Sequence, residues 1–171
     1  MILTGTEIQK EFNAGNITIS SFAPERVTTN SYDLSLSDEL LFYTDDVLDP
    51  TKKPNYKTVK IGPEGILLEK GTFCLGSSKE KIGSDKYVPI LHAKSGVARV
   101  GLFVHCTADL IDIGSHGNIT FQLYATLPIR LYPGMLLGQV SFWVPKGKIV
   151  LYTGKYQSSE GAQVTKSWQD S

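Results

Sequence analysis

The chain is poor in the residues on which several protein classes depend. Only two cysteines, Cys74 and Cys106, and three histidines occur among its 171 residues. Two cysteines are too few for the disulfide framework of a small secreted domain, and both lie in apolar runs, so we expect reduced, buried thiols. They form no C-x-x-C pair, and the H-x-E…P-C-x-x-C zinc pattern is missing, so a zinc-activated hydroxide is not expected.

An excess of charge is also missing, because 17 Lys and Arg residues balance 17 Asp and Glu residues. A chain with zero net charge has no overall field that attracts nucleic acid or an anionic membrane, so we expect neither as a partner. Any anionic ligand must be held by a local basic cluster. No apolar run approaches the roughly 18 residues of a membrane span, and no targeting segment is visible, so we expect a soluble, cytoplasmic protein.

The sequence does contain the pattern of a mainly β domain with one short N-terminal helix. Thr4 and Glu7 have the spacing of a capping box before the helix, and Gly15 offers a left-handed stop after it. Short segments separated by Gly and Pro then predict strands over 31–36, 39–44, 57–61, 66–69, 72–76, 87–92, 97–110, 118–126, 129–132, 136–144 and 148–152. This spacing is typical of a sandwich or barrel. We place a single domain over 1–155 and a polar C-terminal tail or lid over 156–171.

Several predicted strands have a second face that is polar but carries aromatic residues. Within 119–125, Thr120, Gln122 and Tyr124 oppose an apolar stripe. Such a face suits a ligand cavity or a subunit contact as well as it suits solvent. Alternation over 102–110, within the predicted strand 97–110, places the following residues on its apolar face: Leu102, Val104, Cys106, Ala108 and Leu110.

Two clusters contain side chains that could carry chemistry. Lys94, Ser95, Gly96 and Arg99 lie between two apolar segments, and they could cradle a phosphate chain. On this spacing alone, a basic surface turn is the better interpretation. Asp112 follows an apolar segment in a glycine-containing turn and could orient a water or a sugar hydroxyl. Taken alone, it too is better interpreted as a turn residue that bonds its own backbone.

Taken together, the order of several segments is distinctive. They are Asn30-Ser31-Tyr32-Asp33-Leu34, Lys94-Ser95-Gly96-Val97-Ala98-Arg99, His105-Cys106-Thr107-Ala108, Ile111-Asp112-Ile113-Gly114, Pro133-Gly134-Met135-Leu136-Leu137-Gly138-Gln139 and Gly154-Lys155-Tyr156-Gln157. This ordered set resembles the dCTP deaminase and dUTPase superfamily over nearly the whole chain. The glycine-rich C-terminal motif of trimeric dUTPases is missing, so the deaminase branch fits better. The resemblance implies a dUTPase-like distorted jelly roll or β-barrel.

The resemblance also implies roles for particular residues. Ser95 and Arg99 match residues of the catalytic pocket, and Lys94 stands where the family usually has arginine. Ala108 matches a residue whose backbone carbonyl helps to hold the pyrimidine or the reacting water. Asp112 matches the aspartate that contacts the 3′-hydroxyl and, in pyrophosphatase chemistry, positions the attacking water. The residues that fall where the tail closes over the triphosphate are Tyr152, Lys155 and Gln157.

Partners and cofactor follow from the same resemblance. Family members are homotrimers with sites between subunits, and their substrate is dCTP or dUTP. They use Mg²⁺ that is held mainly by the triphosphate, so no protein metal site is expected. We further expect the tail after about Tyr156 to be mobile without nucleotide and ordered with it.

One residue departs from the deaminase pattern. Ten positions after Asp112 the deaminases have a catalytic glutamate, and this chain has Gln122. A neutral amide cannot accept a proton near pH 7, and loss of a general base costs on the order of 100- to 10,000-fold in rate. Three explanations follow: a laboratory replacement of the glutamate, an enzyme that acts only at the phosphates, or a protein that binds nucleotide without turnover. Lys94 and Ser115, where deaminases usually have other residues, favour a divergent family member.

The sequence therefore predicts an enzyme, a dCTP deaminase-like hydrolase that converts dCTP or dUTP towards dUMP. Its deamination step is in question because of Gln122. The alternatives are a dUTP pyrophosphatase without deamination and a non-catalytic nucleotide-binding homologue. Ammonia release from dCTP distinguishes the first from the second, and pyrophosphate release from dUTP distinguishes the second from the third.

Overall fold

Three open β-sheets make up most of the protein, as the computed structural model describes it over residues 1–170. Strands account for 38% of the residues and helices for 12%, and these sheets do not close into a barrel. The mainly β fold class is confirmed. The strands are β1 Thr18–Ile19, β2 Tyr32–Ser35, β3 Glu39–Tyr43, β4 Tyr56–Lys60, β5 Ile66–Leu68, β6 Phe73–Gly83, β7 Val88–Ala93, β8 Leu102–Phe103, β9 His116–Ala125, β10 Ile129–Leu131 and β11 Leu136–Trp143.

The largest sheet has the strand order β4-β3-β6-β9-β8, and β1 pairs with β6 beside this row. β6 and β9 are antiparallel, and their register places Leu75 opposite Gln122 and Ser77 opposite Thr120. A three-stranded sheet, β2-β11-β7, and a two-stranded sheet, β10-β5, complete the β structure. β9 therefore lies between β6, which pairs with most of its length, and the short strand β8, which pairs only with Tyr124 and Ala125.

The core lies between the largest sheet and the three-stranded sheet. Leu34 on β2, Phe121 on β9 and Phe142 on β11 are fully buried in one cluster. Gly138 on β11 makes this close approach possible, because a Cβ there would lie 3.0 Å from the Phe121 ring. The last glycine of the Pro133–Gln139 segment thus lets an aromatic ring of one sheet lie against the backbone of the other.

The N-terminal helix α1, Gly5–Asn13, forms where the sequence predicts it. Ile8 is fully buried and joins the helix to the core. Thr4 is the N-cap residue, but its hydroxyl contacts the Thr6 hydroxyl at 3.1 Å and caps no backbone group. Glu7 pairs with a lysine one turn later at 3.0 Å. The helix is confirmed, whereas the side-chain bonds of the predicted capping box are not formed.

The predicted strand over 97–110 is wrong for most of its length. Ser95–Arg99 forms a short helix, α2, because the Lys94 carbonyl accepts the N–H groups of the next turn. Gly101, with φ at +81°, then redirects the chain into the two-residue strand β8. Residues 104–115 follow as an irregular segment, which we call the 104–115 loop. The alternation therefore fails beyond β8, and these residues of the expected apolar face are exposed: Cys106, Ala108 and Leu110.

Three further expectations need correction. Both cysteines are expected to be buried, but only Cys74 is, and Cys106 is exposed. β6 continues through Gly83 rather than ending at 76, with an irregular register between Ser77 and Lys81. No strand forms over 148–152 in the described part of the chain, where the Tyr152 N–H makes one backbone bond to the Ile113 carbonyl. No helix among residues 1–170 is long and apolar enough to cross a membrane.

Candidate functional site

A cavity of about 610 Å³ lies at the polar face of β9. Its lining comes from β9, the 104–115 loop, the 48–54 segment, the C-terminal segment from 152 to 167, and residues of β3, β6 and β7. Of the residues that the sequence marks as candidates, four line this cavity: Ala108, Asp112, Gln122 and Tyr152. The carboxylate and amide singled out by their spacing thus share one site.

Gln122 is fixed in the cavity wall by its bonds to the 104–115 loop. Its backbone N–H donates to the Val104 carbonyl at 2.9 Å, and its side-chain Oε1 accepts the Cys106 N–H at 3.1 Å. The Cys106 Sγ lies 3.5 Å from the Gln122 carbonyl oxygen. Beyond the end of β8, the Gln122 side chain therefore accepts the Cys106 N–H, which a backbone carbonyl would accept if the strand pairing continued. This bond holds the 104–115 loop beside the cavity.

Asp112 and Ala108 are both carried by the 104–115 loop. β7 supports this loop, since the Leu91 N–H donates to the Asp109 carbonyl at 2.8 Å. Asp112 is exposed, and its carboxylate has no hydrogen-bond partner among residues 1–170, while its carbonyl accepts the Ser115 N–H at 3.0 Å. The turn interpretation is therefore correct for the backbone. The free carboxylate can in addition orient a water or a hydroxyl inside the cavity.

Gln157 attaches the first part of the tail to the body of the domain. Its Nε2 donates to the Gly114 carbonyl at 2.7 Å, and its Oε1 accepts the His116 N–H at 2.9 Å. Gly114 has φ at +87°, and a Cβ there would lie 2.7 Å from the Cβ of Leu151. Gly114 is thus needed because the chain at Leu151, just before the tail, packs directly against its Cα.

The rest of the tail runs across the cavity. The Gln163 N–H donates to the Thr120 hydroxyl at 3.0 Å, and the Thr165 N–H donates to the Tyr43 hydroxyl at 3.1 Å. These bonds place the tail between the polar face of β9 and β3. Mobility of the tail without nucleotide stays a prediction, and Ser171, the last residue of the predicted lid, lies outside the described residues.

Two lysines, one directly before the tail and one within it, lie near one aromatic ring of the cavity wall. Tyr156 lines the cavity, and the Nζ atoms of Lys155 and Lys166 lie 5.9 Å and 5.2 Å from its ring centroid. The ammonium of Lys155 also pairs with the carboxylate of Asp170. A phosphate that approaches Lys155 must therefore compete with an internal carboxylate.

The basic cluster around α2 is not part of the cavity lining. The Lys94 ammonium pairs with the Asp33 carboxylate, whose Oδ1 atom is buried and has no hydrogen-bond partner within residues 1–170. Ser95, Gly96 and Arg99 are exposed, and a Cβ at Gly96 would meet nothing within 4 Å. Within this chain, the residues of the predicted site are thus divided between this cluster and the cavity.

The side chains beside the cavity provide neither a thiolate nor a preformed metal cage. Cys106 is exposed, but desolvation of its sulfur still raises the pKa of the thiol above its usual value, and burial raises the pKa of Cys74 to about 12. Both thiols are therefore protonated near pH 7. Among the described residues, no three His, Cys, Asp or Glu side chains are grouped so that they could hold a metal ion. A cation that enters with a triphosphate would find most of its oxygen ligands on the phosphates.

Comparison with known proteins identifies the family. A sequence profile described as dCTP deaminase-like matches residues 2–144. The chain belongs to the dCTP deaminase-like family. The "dCTP deaminase, dUMP-forming" of Clostridium beijerinckii is 41% identical over 172 aligned residues, which cover 99% of this chain and 98% of the relative. The protein of the same description from Cytophaga hutchinsonii is also 41% identical, with the same coverage.

The solved structures show the same fold for this dCTP deaminase-like chain. The 2′-deoxycytidine 5′-triphosphate deaminase of Agrobacterium tumefaciens superposes with a TM-score of 0.65 at 20% sequence identity. The match covers 84% of this chain and 48% of that chain, so this chain spans about half of its length. The family assignment made from the ordered motifs is confirmed.

The sequence does not reveal every residue that lines the cavity of this dCTP deaminase-like protein. Thr120 lies on the polar face of β9, which the alternation of that strand marks. Tyr43, Pro50, Thr165 and Ser167 have no such signal. They lie at a strand end, in a surface segment and in an unpatterned tail, and only the tertiary fold brings them together.

Proposed function

We propose that this chain hydrolyses a pyrimidine deoxynucleoside triphosphate towards dUMP, acting at the phosphates, and that it deaminates dCTP very slowly or not at all. The observation that carries this proposal is that Asp112 and Gln122 line the same cavity. The cavity contains the free carboxylate that a phosphate step needs. At the position of the deaminase glutamate it contains an amide. The descriptions of the full-length relatives as dUMP-forming support the same substrate and product class.

The phosphate step requires an aligned water. The Asp112 carboxylate orients this water towards the α-phosphorus and takes up its proton as the new P–O bond forms, and the bridging α–β P–O bond breaks to release pyrophosphate. A Mg²⁺ ion held by the oxygens of the triphosphate would neutralise part of the negative charge of the phosphates. Tyr152, Lys155 and Gln157 lie at the start of the tail, and the tail covers the triphosphate and excludes bulk water.

The deamination step requires a group that accepts a proton from water and returns it to the base. Gln122 has no such capacity near pH 7, because its amide is neutral and does not titrate. Its Oε1 is in addition bonded to the Cys106 N–H at 3.1 Å. We expect deamination to be slower by on the order of 100- to 10,000-fold than with a glutamate at this position.

A homotrimer is the assembly in this proposal. Ser95, Gly96 and Arg99 are exposed and lie outside the cavity lining, so they can contribute to the site of a neighbouring subunit. Phe103 and Tyr124 are 51% and 37% exposed, and their rings contact each other at a centroid distance of 6.2 Å. Exposed aromatic pairs beside a site are the kind of surface that a closed, symmetric assembly buries.

One experiment tests the proposed activity directly. The protein is incubated with dUTP or dCTP and Mg²⁺, and ammonia and pyrophosphate are measured separately. We expect pyrophosphate from dUTP and at most slow ammonia release from dCTP. Gln122→Glu should raise ammonia release by at least about 100-fold, and Asp112→Asn should depress pyrophosphate release.

Three results would contradict the proposal. Rapid ammonia release by the unmodified chain would show that Gln122 is not a missing base. Unchanged pyrophosphate release by Asp112→Asn would remove Asp112 from the phosphate step. Binding of both nucleotides with no product from either would instead favour the non-catalytic homologue.

A further inference from the structure

The orientation of the Gln122 side-chain amide is set by its neighbour. The Cys106 backbone N–H can only donate, so the atom that it meets at 3.1 Å must be the oxygen, Oε1. The loop position of Cys106 is in turn fixed, because the Gln122 N–H is bonded to the Val104 carbonyl two residues earlier at 2.9 Å. The amide cannot be turned over without losing the Cys106 bond.

The Nε2 group is the remaining polar end of Gln122. No acceptor within residues 1–170 bonds to it, although Gln122 lines the cavity. Its cross-strand neighbour on β6 is Leu75, which is only 5% exposed and offers no polar group in its side chain. The cavity wall therefore presents an unused N–H donor, and a ligand is favoured that places an acceptor opposite it.

We infer that Gln122 selects pyrimidines with a keto oxygen at ring position 4, so that the cavity binds uracil nucleotides more tightly than cytosine nucleotides. This inference rests on the proposed function, which places the base in this cavity. Deamination takes place at the ring carbon that bears the amino group, so a residue at the position of the deaminase glutamate lies beside position 4. There, uracil has an acceptor and cytosine has a donor.

Replacement of a carboxylate by an amide thus reverses the preferred base. A carboxylate accepts a hydrogen bond from the 4-amino group of cytosine, whereas the Nε2 of Gln122 would face that amino group donor to donor. The nearest acceptor that cytosine could offer Gln122 is its ring N3, and for that the base must shift by one position along its edge. Two donors that face each other in a desolvated site leave one hydrogen bond unmade, and this lowers the affinity by about 10-fold or more.

The test measures binding of two hydrolysis-resistant nucleotides. The Mg²⁺ complexes of α,β-imido-dUTP and α,β-imido-dCTP are titrated calorimetrically into the full-length protein and its variants, and the recovered base is checked by chromatography. We expect the unmodified chain to bind the uracil analogue at least about 10-fold more tightly. Gln122→Met, which removes the donor, should abolish this preference, and Gln122→Glu should reverse it.

Gln163→Glu is the matched control. Gln163 lines the same cavity, but its Nε2 is already bonded to the Glu160 carbonyl at 2.8 Å. A carboxylate there adds the same charge without changing the group beside position 4. It should weaken both analogues by one common factor and leave their ratio unchanged.

The outcomes separate this inference from the proposed function. Equal binding of the two analogues by the unmodified chain, or tighter binding of the cytosine analogue, overturns the base selection but leaves the nucleotide site. A uracil preference that persists in Gln122→Met overturns it as well. If Gln122→Glu does not fold, as judged by circular dichroism, the Gln122→Met result decides. Failure of both analogues to bind the unmodified chain overturns the proposed function together with this inference.

Discussion

The guanidinium of Arg26 contacts the carboxylate of Glu80 inside the fold, although the two residues are 54 positions apart in the sequence. The Glu80 side chain is only 3% exposed. Its oxygens also accept the Ser35 N–H at 2.9 Å and the Ser35 hydroxyl at 2.6 Å. A carboxylate this deep in a protein is tolerated because its charge and its lone pairs are matched.

Removal of the Arg26 charge should therefore destabilise the protein strongly. We expect Arg26→Met to lower the free energy of unfolding by about 3 kcal/mol, because it leaves the Glu80 carboxylate buried without a cation. Urea denaturation measures the change. Lys10→Met is the control, since its ion pair with Glu7 is exposed and should contribute little to the free energy of unfolding. Equal losses of unfolding free energy in the two variants would show that the buried ion pair contributes no more to stability than the exposed one.

The contact between the two sheets gives a second prediction. A methyl group at Gly138 would meet the fully buried Phe121 ring at 3.0 Å, so we expect Gly138→Ala to cost about 1–3 kcal/mol of stability. Gly96→Ala serves as the matched control, because a Cβ there meets nothing within 4 Å and Gly96 lies in helix α2. Thermal unfolding should show a lower midpoint only for the first variant. A lower midpoint for Gly96→Ala would contradict the open space seen there.

Acid should weaken the attachment of α1. A hydrogen bond from Lys86 is the largest of the causes that lower the pKa of Glu11 from 4.5 to about 2. Because this pKa is lower in the folded state, the contribution of Glu11 is fully present above about pH 4.5 and is lost as the pH falls towards 2. Glu11→Gln should be less stable than the unmodified chain at neutral pH, and urea denaturation should show the difference shrinking below pH 4.5. A difference that is independent of pH would remove Glu11 from the acid response.

Deletion of the tail should affect nucleotide binding more than folding. No residue of the buried hydrophobic core lies beyond Phe142 in the described chain. Removal of 157–171 should therefore lower affinity for the Mg²⁺-triphosphate by at least about 10-fold and change the melting temperature little. A shorter deletion, of 165–171, keeps the Gln157 and Gln163 bonds and should have the smaller effect. Unfolding after the longer deletion would show that the tail is structural rather than a lid.

The oligomeric state tests the division of the site between subunits. We expect the protein to sediment as a trimer at micromolar concentration. Phe103→Asp should shift the assembly towards monomer, because the substitution places a charge on the exposed aromatic pair that Phe103 forms with Tyr124. The control is Val47→Asp, a residue that is 82% exposed and does not line the cavity. A monomer for the unmodified chain would count decisively against the shared site.

The sequence predicts secondary structure best where the polarity pattern of a segment is compatible with only one type of element. β9 and β11 alternate clearly, and both form close to the predicted limits. The end of α1 is marked by Gly15, which has φ at +76°. The 97–110 segment was ambiguous in physical terms, because its short apolar run suits a helix and a strand equally well.

The candidate site was only partly accessible from the sequence for a different reason. Asp112, Ala108 and Gln122 are detected by their order along the chain, and they do share the cavity. The pairing of Lys94 with Asp33 and the contacts of the tail depend on which surfaces the folded sheets bring together. Short polar segments carry no periodic signal for such contacts.

The bonds of Thr165 to Tyr43 and of Ser167 to Pro50 join residues that are 122 and 117 positions apart. During synthesis, residues 165 and 167 therefore leave the ribosome long after the β3 strand has emerged. The buried core is complete in the chain at Phe142, so the sheets can assemble while the cavity still lacks one wall. A polypeptide that stops before residue 165 would thus be a folded protein with an unfinished site, and quality control that recognises unfolded chains would not remove it.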